Sequence, residues 1–134
     1  MDEMFDKNEE LRQWLSLAKQ NLDVAKHLVS NMHPIPVETI CNQCQQSAEK
    51  YLKGYLFFND IEPPKIHNLP ALSAMCAKIN PGFMKFTKQC RFLNNFGVLP
   101  KYPNQLQITE EDAKTAIRFA EEIKEFVVNI TQTT

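Results

Sequence analysis

Hydrophobic residues recur at helical spacing in two long stretches that fill the first 60 residues. The first stripe consists of Leu11, Trp14, Leu15, Ala18, Leu22, Ala25, Leu28 and Met32. The second, within the stretch from Pro36 to Asn59, consists of Val37, Ile40, Cys44, Ala48, Tyr51, Leu52 and Tyr55. Spacings of three and four residues place each stripe on one face of a helix. Only a short proline-containing turn separates the two stretches, so they are expected to pack as an antiparallel hairpin.

Shorter periodic segments follow. Asn68 is a plausible N-cap for a third helix that carries Leu69, Leu72, Met75, Cys76 and Ile79. A fourth stripe is made by Phe83, Phe86, Cys90 and Leu93, and a fifth by Ala113, Ile117, Ala120, Ile123, Val127 and Ile130. Residues 98–108 (VLPKYPNQLQI) have two prolines and no helical period, which predicts an ordered loop. The pattern predicts an all-α, antiparallel up-and-down bundle of four to five helices.

Nine residues on these stripes are predicted to form the core of a single domain that spans residues 1–134: Trp14, Leu22, Ile40, Cys44, Ala48, Tyr51, Phe86, Ile117 and Ala120. With 134 residues, 43 % of them hydrophobic, the chain can bury a substantial core. No apolar run reaches the ~18–20 residues of a membrane span. The N-terminus is acidic, which argues against a signal peptide, so a cytoplasmic location is expected.

The net charge of −1 conceals an uneven distribution. Residues 1–10 carry five acids and one base, whereas residues 49–101 carry eight bases and three acids. The middle of the chain could therefore present a basic surface to phosphate or to an acidic partner. A solvated surface of mixed charge is the simpler interpretation of such a run.

The four cysteines do not predict a metal or redox site. Cys41 and Cys44 have CxxC spacing, but Cys76 and Cys90 stand alone on other predicted helices, so a second ligand pair is missing. Cys44 also falls on an apolar stripe, where a thiol is less reactive. Buried, reduced and metal-free cysteines are expected, and no cofactor is predicted.

Polar residues mark a second face of the second helix. Gln46, Lys50, Lys53 and Phe57, with Glu49 beside them, project roughly opposite to the apolar stripe and are expected to face outward. His67 lies just before the third helix, whose free backbone amides could hold an anion. The alternative for His67 is that it only caps that helix.

Several of these segments together resemble the HEPN domain family. They are residues 22–28 (LDVAKHL), 45–53 (QQSAEKYLK, close to the family's QQAAEKxLK), 64–69 (PKIHNL), 101–104 (KYPN) and 111–113 (EDA). Their order and spacing cover nearly the whole chain. The resemblance implies a helical bundle that forms homodimers, with a possible nucleotide or partner site.

Two departures from the family pattern bear on function. The ribonuclease branch has an arginine followed by a histidine in an R-x4-6-H pattern, and neither Arg12, Arg91 nor Arg118 is followed by a histidine at that distance. RNA cleavage needs a proton acceptor and a cation for the phosphate, so no catalytic residue is predicted. Lys101 replaces the family's arginine before tyrosine-proline, which loses the bidentate grip on phosphate.

The resemblance therefore implies a non-catalytic domain that acts through binding. Such members are often encoded beside a minimal nucleotidyltransferase and associate with it, sometimes as toxin and antitoxin. Two alternatives stay open: a ribonuclease that uses an atypical site of His67, Lys101 and Tyr102, and a purely structural helical interaction subunit. Whether RNA is bound is left open by the sequence.

The predicted ligand-binding residues are Gln46, Glu49, Lys50, Lys53, Lys65, His67, Lys101 and Tyr102. Lysines would supply charge for phosphate, Tyr102 a ring for base stacking, and Gln46 a polar edge for recognition. The competing interpretation is that Glu49 and Lys53 form an ordinary surface pair at i, i+4, worth ~0.2–0.5 kcal/mol, and bind nothing.

Overall fold

The computed structural model describes residues 3–98 and 107–131, and these form a bundle of five α-helices. The helices are α1 (Glu3–Asn31), α2 (Val37–Phe58), α3 (Leu69–Ile79), α4 (Thr87–Asn94) and α5 (Glu110–Thr131), with a 3-10 segment at Pro81–Phe86 directly before α4. The described residues contain no strand. The prediction of an all-α bundle is confirmed.

The close approach of α1 and α2 depends on two small residues of α2. The Ser47 hydroxyl donates a buried hydrogen bond of 2.8 Å to the carbonyl of Ala18 on α1. Two turns further along α2, a Cβ added to Gly54 would lie 3.2 Å from Leu15 Cδ2 and 3.3 Å from Trp14 Cβ. The small side chains at these two positions let α2 lie close against α1, because larger side chains would separate the two helices.

Seven of the nine predicted core residues are buried: Leu22, Ile40, Cys44, Ala48, Tyr51, Phe86 and Ala120. Trp14 and Ile117 are only partly buried and are not among the buried core residues, although Ile117 packs against the core cluster. On α5 the buried face is centred on Ala116 and Ala120 rather than on Ile117. Ile117 follows Ala116 by about 100° around the helix and therefore lies at the edge of the interface.

A cluster of aromatic rings closes one end of the bundle. Phe83 stands 4.7 Å from Tyr55 and 4.9 Å from Phe126 between ring centroids, and Phe86 is 5.3 Å from Phe126. Gly82 sits against the same cluster, since a Cβ there would come within 2.7 Å of the Phe126 ring. The rings thus tie the 3-10 segment to both α2 and α5.

All four cysteines are buried and unbridged, as the sequence predicted for their location. Burial raises the pKa of Cys41 and of Cys76 to about 12. Burial also raises the pKa of Cys90, to about 11, although a hydrogen bond with Ser73 acts in the opposite direction. A thiol with so high a pKa is a poor nucleophile near neutral pH. In residues 3–98 and 107–131, no His, Cys, Asp and Glu side chains form a group that could hold a metal ion.

None of the described helices is both long and apolar enough to cross a membrane.

Candidate functional site

The polar face of α2 does not face solvent, contrary to the prediction. Glu49 and Lys53 are buried, each with 6 % of its surface exposed, while Gln46 and Lys50 are half-buried. The segment before α3 and the segment after α4 both contact this face. Gln45 Nε2 donates to the His67 carbonyl at 3.3 Å, and Asn42 Nδ2 donates to the Phe96 carbonyl at 2.8 Å. The face of α2 is therefore an internal polar interface.

The Glu49 carboxylate is the centre of a hydrogen-bond network. Oε2 accepts from Lys53 Nζ at 3.0 Å and lies 3.0 Å from His67 Nδ1, while Oε1 accepts from Gln45 Nε2 at 3.1 Å. Gln46 Nε2 extends the network by donating to Gln45 Oε1 at 2.8 Å. Burial on its own would raise the pKa of Glu49, but the bonds from His67, Lys53 and Gln45 outweigh it and lower that pKa. The carboxylate is thus held ionised inside the protein.

His67 is the exposed end of this network. Its side chain is 76 % exposed, whereas the Glu49 side chain behind it is only 8 % exposed. The contact with Glu49 engages Nδ1, and no group among the described residues engages Nε2. A carboxylate on one ring nitrogen fixes the orientation of an imidazole and favours a proton on that nitrogen. The network therefore presents an oriented histidine to an external ligand.

The backbone amides at the start of α3 are occupied, which corrects the expectation that they could hold an anion. The Leu69 amide donates to Asn94 Oδ1 at 3.0 Å and the Ala71 amide to Asn68 Oδ1 at 2.9 Å, and Pro70 has no amide proton. Asn68, not His67, is the N-cap, as the sequence also indicated. Any anion at this place would be bound by side chains.

Lys50 is directed toward α1. Its ammonium donates to Asn21 Oδ1 at 2.6 Å, and Asn21 Nδ2 in turn donates to Gln43 Oε1 at 2.8 Å. Burial lowers the pKa of Lys50, and the nearby charge of Lys53 acts in the same direction while that of Glu49 opposes it. Lys50 thus helps to join α1 to α2 and sits beside the network rather than within it.

Of the eight predicted site residues, the structure brings Glu49, Lys53 and His67 into direct contact, and Gln46 reaches them through Gln45. Lys65 is exposed two residues before His67. Lys101 and Tyr102 lie outside the described residues.

Gln45 is the important residue that the sequence reasoning passed over. It is fully buried, and a Cβ at Gly97 would lie only 3.5 Å from its Nε2. The signal was available, because Gln45, Glu49 and Leu52 share helical spacing, so Gln45 adjoins the apolar stripe. A glutamine at such an edge needs hydrogen-bond partners once it is buried, and here Glu49 and the His67 carbonyl supply them.

The fold and the network define a small helical domain with one exposed, internally supported histidine. The sequence matches the model of the HEPN domain over residues 11–130, so the chain belongs to the HEPN family. That match includes α2 and His67.

Two solved structures are similar to this chain. One is the crystal structure of ST0689, described as an archaeal HEPN homologue, whose sequence is 26 % identical to this chain. The match covers 90 % of this chain and 97 % of the ST0689 chain, with a TM-score of 0.71. TT1696 from Thermus thermophilus is 22 % identical, covers 89 % of this chain and 96 % of its own, and superposes with a TM-score of 0.75, which shows a shared fold. No curated protein sequence matches the chain.

Proposed function

We propose that this HEPN domain is non-catalytic and acts by binding, as the partner of a minimal nucleotidyltransferase in a toxin–antitoxin-like pair, and that it holds a nucleotide phosphate at His67. The observation that carries the proposal is the contact between His67 and the buried Glu49–Lys53 pair. A protein gains little stability from a histidine that remains 76 % exposed, so this buried network is better explained by orienting the ring for a ligand.

Charge around His67 favours an anionic ligand. The charge of Glu49 is matched by Lys53 inside the protein, while Lys65 and His67 are exposed and no acid occurs between residues 63 and 98. Protonated histidine and lysine both bind phosphate through charge-assisted hydrogen bonds. Gln46 and Lys50 lie next to the network, and Lys101 and Tyr102 remain predicted contributors of charge and of a stacking ring.

The first test replaces His67 by alanine. We expect the wild type to bind ATP, GTP or their monophosphates in a salt-sensitive way by calorimetry, and His67→Ala to weaken that binding at least tenfold. His27→Ala is the matched control, because His27 is also exposed but lies on α1 and hydrogen-bonds to Asn31 of the same helix. Lys50→Ala combined with Lys101→Ala should also abolish binding. If the wild type gives no heat and a neighbouring nucleotidyltransferase does not co-purify, the proposal is wrong.

A second candidate function is a ribonuclease that uses His67 with Lys101 and Tyr102. The specific observation in its favour is the 3.0 Å contact of a buried carboxylate with the histidine, an arrangement that also orients a general base. Purified protein should then cleave RNA, and His67→Ala should abolish cleavage while His27→Ala should not. Absence of cleavage by the wild type would exclude this candidate.

We also propose that the protein forms a homodimer. The family resemblance implies a homodimer, and aromatic side chains left at the surface support it: Phe58 is 36 % exposed and Phe57 is half-buried. The ring of Phe92, by contrast, packs against Phe96 and Phe119, with 5.4 Å between ring centroids in each pair, so it needs no further partner. Sedimentation should show a dimer at micromolar concentration. A monomer throughout that range would contradict the proposal.

A further inference from the structure

A groove of about 450 Å³ lies on the surface where α3 packs against the 3-10 segment and α4, and the His67 network does not contribute to its lining. On the α3 side it is lined by residues at helical spacing, among them Pro70, Ala74 and Ala77. Met84 and Arg91 line the opposite side, and the buried Ser73 and Cys90 contribute to its lining between them. The small side chains of α3 keep the groove open.

The segment that lines this groove carries only positive charge. Residues 63–98 contain five bases and no acid, whereas the rest of the chain contains ten bases and sixteen acids. Two of the five bases, Lys78 and Arg91, line the groove itself, and both are exposed. Within the described residues, neither of them forms an ion pair. The groove therefore has two cations that a binding partner could neutralise.

The apolar part of the groove is also unusually accessible. Met84, which lines the groove, is 68 % exposed, and Ala74 on the opposite side of the groove is exposed as well. A methionine side chain adapts its shape readily and is common at surfaces that accept helices. Exposed apolar groups flanked by charged ones mark surfaces that bind another protein.

We propose that the groove between α3 and α4 binds an acidic amphipathic helix of a partner protein. The partner's apolar residues at i, i+3, i+4 and i+7 would cover Ala74, Ala77 and Met84, and its acidic residues would pair with Lys78 and Arg91. A phosphate backbone has no apolar face, so a nucleic acid would contact the two cations but not the apolar side chains of the groove. The groove combines apolar side chains with two cations, and this combination favours a protein helix over a nucleic acid. This proposal is independent of the His67 site.

The probe is a synthetic amphipathic peptide of about five helical turns, with leucine at the apolar positions and glutamate elsewhere. A peptide of the same composition in scrambled order and a peptide with lysine in place of glutamate serve as ligand controls. Binding to the chain of residues 1–134 is followed by fluorescence anisotropy at low and high salt. We expect only the ordered acidic peptide to bind, and its affinity to fall as salt is added.

Two variants locate the binding site. Ala74→Trp fills the groove from an exposed position, and Arg91→Glu reverses one of its charges. Ala74→Trp should abolish peptide binding and Arg91→Glu should weaken it at least tenfold. Lys114→Glu on α5 is the matched charge reversal outside the groove, and His67→Ala tests independence from the other site; neither should change the affinity. Circular dichroism and the melting temperature establish that each variant is folded.

Four results would overturn the proposal. The first is the absence of peptide binding to the wild type at millimolar concentration, and the second is binding that persists in Ala74→Trp. The third is displacement of the peptide by oligouridine, which would identify the basic surface as a nucleic-acid site. The fourth is a dimeric wild type that becomes monomeric in Arg91→Glu, which would show that a second copy of this chain occupies the groove.

Discussion

Glu49→Gln is expected to lower the free energy of unfolding by about 3–5 kcal/mol. The substitution keeps the shape of the side chain but removes the negative charge that Lys53 needs. Both side chains are only 8 % exposed, so the Lys53 ammonium would remain buried without a counter-charge. Chemical denaturation at neutral pH measures the loss, because the chain is small enough for a single cooperative transition.

The control for this substitution is a second pair at i, i+4 with the same chemistry. Lys19 and Asp23 on α1 are 2.7 Å apart, but their side chains are 59 % and 50 % exposed. Asp23→Asn should therefore cost less than about 1 kcal/mol. The double variant Glu49→Gln with Lys53→Met removes both buried charges and should recover much of the lost stability. Equal effects of Glu49→Gln and Asp23→Asn would contradict the buried network.

The same network makes a prediction for acidic pH. The pKa of Glu49 is lowered in the folded protein relative to an ordinary value of 4.5. Its contribution to stability is then fully present above pH 4.5, and it is lost as the pH falls through the folded pKa. In a series of denaturation curves from neutral to acidic pH, the stability of the wild type should approach that of Glu49→Gln. A constant difference between the two proteins would show that folding does not lower the pKa of Glu49.

The helices were predictable because each carries its own periodic signal. The spacing of Ile40, Cys44, Ala48 and Tyr51 predicts one buried face of α2 without knowledge of what covers it. The same reasoning placed Glu49 and Lys53 on an outer face, and that was wrong. A helical wheel assigns a polar side to solvent, whereas the burial of this side depends on the segments around His67 and Phe96, which lie far along the chain.

The contact between Glu49 and His67 could not be predicted from the sequence. The two residues are 18 positions apart on different elements, so no spacing rule brings them together. The family resemblance singled out both segments but said nothing of their contact. The prediction of free amides at the start of α3 was wrong for a similar reason. The Leu69 amide donates to the side chain of Asn94, which lies on a different helix. Long-range hydrogen bonds of this kind follow from the fold and not from local pattern.

Leu22→Ala is expected to cost about 2.7–5.0 kcal/mol of unfolding free energy. Leu22 is fully buried on α1 and belongs to the hydrophobic core cluster of the bundle. Truncation to alanine removes buried apolar atoms and leaves a cavity in this close-packed core. The cost is therefore expected to lie well above that of Ile117→Ala, which truncates a residue at the edge of the core.

Leu17→Ala is the matched control for Leu22→Ala, since it makes the same change on the same helix. Leu17 is 48 % exposed, so its truncation removes little buried surface and leaves no cavity. Helix propensity changes equally in both variants, so their difference reports packing alone. Denaturation at two protein concentrations separates any contribution of a dimer, because such a contribution would shift the transition with concentration. If Leu17→Ala cost as much as Leu22→Ala at both concentrations, the described difference in burial between the two leucines would be contradicted.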